Sequence, residues 1–168
     1  STTKYMDGHA TSVGGAIVEG GTFDWMAHRD KFPGMTEPDD SYHGIVYAET
    51  FGNRAFVTKA TVQVMRDLGS IPSPHNAFLL NLGLETLFLR MARHCENAQA
   101  VAEYLESDDR VTWVEYPGLK SSKYHDLAKK YMPNGTCGVI SFGVKGGREA
   151  ATKFMDSLKL AAVVTHVA

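Results

Sequence analysis

The chain lacks several features that would assign it to a specialised class of protein. Its 168 residues include two cysteines, Cys95 and Cys137, which form neither a metal-binding spacing nor a disulfide framework. No apolar run approaches the roughly 18 residues that a membrane span requires, and no signal-peptide pattern opens the chain. A formal net charge of -2 leaves no large basic patch for nucleic acid. These absences favour a cytoplasmic protein without metal, membrane or nucleic-acid partners.

The two ends of the chain differ from those of an ordinary domain. The sequence opens without methionine and ends in a strand-like apolar run, residues 161–168. A natural domain seldom ends inside a core strand, because unpaired edge groups and apolar side chains are then left without partners. We therefore expect a piece of a longer protein, catalytically inactive by itself.

The first fifteen residues hold a lysine flanked by hydroxyl residues and followed by glycines. Lys4 comes directly after Thr3 and close to Ser1. A lysine acts as a nucleophile or forms a Schiff base only when its amine loses a proton near neutral pH, which burial and neighbouring cations promote. Hydroxyls can donate to a phosphate, and glycines let the backbone approach a flat ligand closely. By spacing alone, an exposed lysine in a Ser/Thr-rich segment is the simpler interpretation.

A family resemblance changes that balance. The segment Ser1-Thr2-Thr3-Lys4-Tyr5, with Gly8-His9 and then Gly14-Gly15-Ala16-Ile17-Val18, resembles the cofactor-lysine segment of the pyridoxal-phosphate (PLP) enzymes of cysteine and methionine metabolism. The likeness extends along nearly the whole chain, and it includes the stretches Lys31–Asp39, Ser41–Gly44 and Gly83–Ala98. The insert Phe32-Pro33-Gly34-Met35-Thr36-Glu37-Pro38 is similar to that of the O-acetylhomoserine sulfhydrylase branch.

The resemblance implies a fold and a site. The expected fold is α/β, a fragment of the PLP-dependent transferase fold (fold type I). Residues 1–90 would form the C-terminal part of the large PLP-binding domain, including the start of a long linking helix. Residues 91–168 would form a truncated small C-terminal α+β domain. Lys4 would form the Schiff base with PLP and act as the base at the substrate Cα, while Ser1 and Thr3 would bind the cofactor phosphate.

The implied reaction is a γ-replacement in methionine biosynthesis (transsulfuration). O-acetyl-L-homoserine and sulfide would give L-homocysteine and acetate, in a cytoplasmic homotetramer built as a dimer of dimers. A methionine γ-lyase or a cystathionine γ-synthase on the same scaffold is an alternative, since one lysine motif supports all three. An alternative of another class is a non-catalytic fragment or interaction module that never binds PLP.

Hydrophobic periodicity and turn residues predict the secondary structure of the first half. We expect a short buried strand from Val13 to Val18 and a helix from Arg54 to Leu68 that ends at Gly69. A much longer helix should begin near Ser73, with Ser73 as N-cap and Pro74 in its first turn. Residues 22–53 are predicted to form a long aromatic-rich loop. It packs on its own aromatic side chains or forms a wall of the active site or a subunit contact.

The second half has an α+β pattern. The expected strands are Val111 to Tyr116 and Cys137 to Val144, with a third that begins at Val163. The expected helices run from Tyr124 to Tyr131 and from Arg148 to Leu160. Strands that alternate with helices favour helices packed on one face of a small sheet.

Three further reactive side chains are interpreted as structural. His9 follows Lys4 by five residues, but a histidine in a glycine-rich turn more often satisfies backbone groups than acts as a general base. Cys95 lies on the apolar stripe of the long helix and Cys137 opens an apolar strand. Both therefore fit small core residues better than nucleophiles.

The remaining polar candidates lie on the long helix and in the aromatic loop. Arg90, Arg93 and His94 are interpreted as solvated, with an ion pair between domains as the alternative. Tyr42 and Tyr47 could face a ligand, but packing in the core is the preferred interpretation.

Overall fold

The protein is described here by a computed structural model of residues 1–164. These residues form two compact units. The first contains residue 1 and residues 13–77, and the second contains residues 2–12 together with those from 78 onward. Within residues 1–164, no helix combines the length and the apolar character needed to cross a bilayer.

The first unit is a succession of short helices. Its α-helices are α1 (Pro33–Thr36), α2 (Tyr47–Phe51), α3 (Ala55–Lys59) and α4 (Arg66–Leu68), and its 3-10 segments are Met26–His28, Asp40–Tyr42 and Gly52–Arg54. A π-helical segment, Ala60–Met65, joins α3 to α4. The predicted helix is therefore present with a π-helical interior. It ends as expected at Gly69, which has φ of 68°, a conformation that glycine adopts without steric cost.

The core of the first unit is aromatic. The ring of Tyr47 is fully buried and stacks on Tyr42 with ring centroids 5.9 Å apart. The ammonium of Lys59 lies 4.3 Å from the centroid of the Tyr47 ring and pairs with Asp39 at 2.9 Å. Both tyrosines thus pack in the core, as predicted. The loop around them packs on its own aromatic side chains, as in the first alternative, and its role as a wall of the active site or a subunit contact stays a prediction.

The strand predicted from Val13 to Val18 is absent. This segment has no regular secondary structure, and Val13 and Val18 are 81% and 89% exposed. A strand must exchange backbone hydrogen bonds with a neighbour, and no strand within residues 1–164 pairs with this segment. The apolar run alone cannot form the strand.

The second unit contains the longer helices and a small sheet. Its elements are α5 (Pro74–Glu85, which begins in the first unit), α6 (Leu87–Ser107), β1 (Val111–Glu115), α7 (His125–Tyr131), β2 (Ser141–Val144) and α8 (Gly147–Asp156). The predicted cap is confirmed, because the Asn76 amide donates to the hydroxyl of Ser73 at 3.1 Å. The single long helix of the prediction is instead two helices, α5 and α6, interrupted at Thr86.

The sheet of the second unit is an antiparallel pair. Val111 pairs with Val144 and Glu115 with Ser141, with an irregularity in β1 at position 112. β2 begins at Ser141 rather than at Cys137 as predicted, because Cys137 has φ of 77°, which is incompatible with a strand. The core lies between α6 and the sheet, and its buried residues are Ala98, Ala102, Tyr116 and Leu119.

Two other predicted boundaries in this unit change. α8 ends at Asp156, before the predicted Leu160. Val163 and Val164 are not in a strand, and the rest of the predicted third strand, residues 165–168, lies outside the described residues. Cys95 and Cys137 are half-buried free thiols, and Cys137 packs against the core. This agrees with the interpretation of Cys137 as a core residue, whereas Cys95 packs beside Gly135.

Candidate functional site

Lys4 lies in a tight series of turns. Residues 3–7 are all in turn conformation. The amide of Asp7 donates to the carbonyl of Thr2 at 3.0 Å, and the amide of Gly8 donates to the carbonyl of Lys4 at 2.7 Å. We call residues 2–8 the lysine turn. Lys4 is half-buried, and no carboxylate within the described residues forms an ion pair with its ammonium.

Asp7 closes the lysine turn from inside. Its side chain is fully buried. One carboxylate oxygen accepts from the Thr11 amide at 2.9 Å, and the other accepts from the hydroxyls of Thr11 at 2.8 Å and Ser12 at 3.1 Å. These bonds, above all the two from Thr11, lower the pKa of Asp7 to about 2 although burial opposes the shift. The charged Asp7 carboxylate therefore joins the turn to the segment after it through hydrogen bonds.

His9 has the structural role expected of it. Its Nδ1 lies 2.8 Å from the carbonyl oxygen of Asp7. A carbonyl oxygen only accepts, so Nδ1 carries the hydrogen in this contact. This bond satisfies a backbone carbonyl of the lysine turn, and the side chain of His9 is otherwise exposed.

The break between α5 and α6 supplies the surface on which the lysine turn rests. Thr86 has φ of -108° and ψ of 1°, which ends the regular hydrogen bonding of α5. Arg90, in the first turn of α6, donates to the Gly83 carbonyl at 2.8 Å and to the Thr86 hydroxyl at 3.1 Å. Its third hydrogen bond goes to the Tyr5 carbonyl of the lysine turn at 2.9 Å. Hydrogen bonds to a charged group each contribute about 1.5–3 kcal/mol.

Two glycines permit close contact between the lysine turn and these helices. A Cβ at Gly83 would collide with the carbonyl oxygens of Met6 and Asp7. A Cβ at Gly8 would collide with the guanidinium of Arg90, and Gly8 also has φ of 71°. The turn is thus packed against the helix backbone at one point and covered by the arginine at another.

The side chain of Tyr5 extends the contact along α6. Its ring lies 5.4 Å from the ring of His94, measured between centroids, and its hydroxyl would lie 2.9 Å from a Cβ at Gly138. His94 and Arg90 occupy adjacent turns of one helix face. The residue directly after Lys4 is therefore held through both its carbonyl and its ring.

The three predicted site residues differ in their exposure and in the compact unit to which they belong. Thr3 and Lys4 are half-buried in the second unit, whereas Ser1 is exposed and belongs to the first. Arg93 is solvated as predicted, in an exposed pair with Glu96 at 3.2 Å. The prediction of a solvated side chain is wrong for Arg90, because its guanidinium donates hydrogen bonds to three protein oxygens.

Sequence reasoning missed Asp7, Gly83 and Arg90 as site residues. A hydrophobic pattern shows which helix face is apolar, but it does not show that a distant carbonyl lies opposite Arg90. A weak signal existed for Gly83, since glycine inside a helix destabilises it by roughly 1 kcal/mol relative to alanine and so indicates close packing. For Asp7, the hydroxyl residues four and five positions later were the available signal.

Within residues 1–164, no cluster of three or more His, Cys, Asp or Glu side chains has an arrangement suited to a metal ion. The chemistry available at the lysine turn is that of a primary amine with nearby hydroxyl groups. This set suits covalent attachment of a carbonyl compound and hydrogen bonding to an anion.

Comparisons with known proteins agree on one family. The profile of the Cys/Met metabolism PLP-dependent enzymes matches residues 1–167. The homocysteine synthase of Schizosaccharomyces pombe is 49% identical over 99% of this chain and 39% of that protein. The O-acetyl-L-homoserine sulfhydrylase of Leptospira meyeri is 46% identical, again over 99% of this chain and 39% of that protein. The chain thus spans 39% of the length of these curated relatives.

A solved structure extends the similarity to the fold. The O-acetylhomoserine (thiol)-lyase structure from Campylobacter jejuni is 36% identical and superposes with a TM-score of 0.82. It covers 99% of this chain, which corresponds to 39% of that one, and it carries a pyridoxyl-lysine monophosphate. The mixed helix and sheet of the present structure is therefore a part of this PLP-dependent fold. The donor set of the lysine turn fits such a group, because Lys4 offers an amine without a carboxylate partner in the described residues.

The pKa of Asp7 generates a prediction on stability. Because folding lowers this pKa from 3.8 to about 2, the charged carboxylate stabilises the fold above the unfolded pKa, and this contribution is lost as the pH falls towards 2. Asp7→Asn should therefore lower the melting temperature of the whole protein at neutral pH, and the difference from wild type should narrow between about pH 5 and about pH 2.5.

The matched control for this prediction is Asp109→Asn, which changes an exposed carboxylate in the turn before β1. Its effect on the melting temperature should be small at every pH. A difference between Asp7→Asn and wild type that stays constant across the acid range would show that the charge of Asp7 is not what stabilises the turn.

Proposed function

Because the chain belongs to the Cys/Met metabolism PLP-dependent enzyme family, we propose that the whole protein is an O-acetylhomoserine sulfhydrylase in methionine biosynthesis. The reaction is the γ-replacement of acetate by sulfide, which converts O-acetyl-L-homoserine to L-homocysteine. The observation that carries the proposal is the hydrogen-bonded lysine turn, in a chain 49% and 46% identical to a homocysteine synthase and an O-acetyl-L-homoserine sulfhydrylase.

In this proposal Lys4 has two roles. Its amine would hold PLP covalently, and as a free amine it would take the proton from the substrate Cα. The cofactor, when bound, supplies an electron sink for the charge left at that carbon. Lys4 then carries protons between Cα and Cβ while acetate leaves Cγ and sulfide takes its place.

Ser1 and Thr3 are proposed to bind the cofactor phosphate through their hydroxyls. A hydroxyl donates one hydrogen and suits a phosphate oxygen, and both residues precede Lys4 by no more than three positions. The backbone that follows Lys4 is held by the hydrogen bonds of the Asp7 carboxylate and by those to the Lys4 and Tyr5 carbonyls. A fixed backbone limits the positions that the lysine amine samples, which favours proton transfer at defined atoms.

The proposal also covers the parts of the protein around the site. We propose that residues 1–90 are the C-terminal part of the large PLP-binding domain and that residues 91–168 belong to the small C-terminal domain. The remaining groups that hold the cofactor ring and the substrate carboxylate then lie outside this chain. The assembly is proposed to be a cytoplasmic homotetramer arranged as a dimer of dimers.

The role of Lys4 is tested by trapping the cofactor on the whole protein. Borohydride reduction should fix a phosphopyridoxyl group on the tryptic peptide that contains Lys4 and ends at Arg29, because the modified lysine is no longer cleaved. Lys4→Ala should abolish both the label and turnover while the circular dichroism spectrum is unchanged. Lys120→Ala, an exposed lysine, is the control and should retain both. A label found on Lys59 or Lys120 in the wild type would disprove the assignment.

The reaction type is tested by a side-by-side assay. Because the insert and the named relatives both point to the sulfhydrylase branch, the whole protein should form homocysteine from O-acetylhomoserine and sulfide faster than it releases ammonia from methionine or condenses O-acetylhomoserine with cysteine. Each product is quantified by mass spectrometry at equal substrate concentrations. Faster ammonia release from methionine would replace this proposal with a γ-lyase, and absence of PLP binding would favour a non-catalytic module.

A further inference from the structure

Arg90 links the helix break to the residue that follows Lys4. Its guanidinium donates to the Gly83 carbonyl at the end of α5 and to the Thr86 hydroxyl in the break. Its third hydrogen bond goes to the Tyr5 carbonyl at 2.9 Å, across 85 positions of the sequence. This bond joins a side chain of α6 to the backbone of the lysine turn.

The two peptide planes after Lys4 are thereby fixed by different groups. The Lys4 carbonyl accepts from the Gly8 amide within the turn, whereas the Tyr5 carbonyl accepts from Arg90. The first bond is internal to the turn and would move with it. The second attaches the turn to the helices, together with the packing on Gly83 and the Tyr5–His94 contact, so it contributes to where the turn as a whole lies.

The geometry of the contact requires the shape of a guanidinium. Three acceptors in different directions receive one hydrogen bond each from Nε and the two terminal nitrogens. A planar fork fits such a set, whereas the ammonium of lysine is a single point of charge. The guanidinium also lies where a Cβ of residue 8 would be, against the Cα of Gly8.

We propose that Arg90 is a positioning residue for Lys4: by holding the Tyr5 carbonyl against the break between α5 and α6, it sets the place from which the lysine amine reaches the cofactor and the substrate Cα. This inference rests on the proposed function of Lys4. Arg90 acts only through the position of Lys4 and is assigned no contact with the cofactor or the substrate.

The test uses Arg90→Lys in the whole protein, with Arg93→Lys as the matched control. Arg93 is on the same helix and is exposed in a surface pair with Glu96. Arg90→Lys keeps the charge but loses the fork, and a misplacement of about 1 Å can reduce a rate roughly 10²-fold. We expect kcat for homocysteine formation to fall by about tenfold or more with little change in KM, while Arg93→Lys matches wild type.

A second readout does not depend on turnover. Protein freed of cofactor is mixed with PLP, and the rate of borohydride-trappable labelling at Lys4 is followed by peptide mass spectrometry. Arg90→Lys should label Lys4 more slowly than wild type, while labelling of the exposed Lys120 is the same in both proteins. A residue that only stabilised the fold would lower the melting temperature without this selective effect on Lys4.

Thr86→Val is a milder second variant, because it removes one acceptor of Arg90 and leaves the bond to Tyr5. It should decrease the Lys4 labelling rate less than Arg90→Lys does. If Arg90→Lys does not fold, Thr86→Val alone provides the test. Wild-type rates of Lys4 labelling and kcat in all variants would overturn the inference while leaving the proposed function intact. Absence of Lys4 labelling in the wild type would overturn both.

Discussion

The close contact between the lysine turn and the backbone of α5 constrains the rest of this structure. The carbonyls of Met6 and Asp7 lie so near Gly83 that no side chain fits between them. A glycine in a helix interior costs roughly 1 kcal/mol relative to alanine, so the helix is weakened where the turn is held. That weak point lies three residues before the break at Thr86, where α5 ends and α6 begins.

The break between α5 and α6 leaves a backbone carbonyl free to accept a hydrogen bond from Arg90. In one continuous helix the Gly83 carbonyl would accept a backbone amide one turn later. Here it accepts from the guanidinium of Arg90, which reaches across to Tyr5. Asp7 completes the arrangement from inside the turn, with a pKa lowered to about 2 by its hydrogen bonds. Gly83, Arg90 and Asp7 thus restrain the segment that bears the proposed catalytic lysine, although none of them is proposed to take part in the reaction.

Local signals in the sequence predicted local structure well. The cap at Ser73 and the stop at Gly69 depend on neighbouring residues, and both are present. The failures depend on distant partners: the strand at 13–18 has none within the described residues, and the contact of Arg90 joins positions 85 residues apart. The family and its lysine motif were recognisable from the residues, but the packing that holds the lysine was visible only in three dimensions.

The most direct test of this account is Gly83→Ala in the whole protein, with the melting temperature and retention of PLP after dialysis as readouts. Asn81→Ala, an exposed position of the same helix, is the control and should raise the melting temperature slightly, because alanine is the better helix former. Gly83→Ala gains the same helical preference, yet the account predicts a lower melting temperature and faster loss of PLP, since the new Cβ displaces the lysine turn. A melting temperature equal to or above that of wild type, with PLP fully retained, would contradict it.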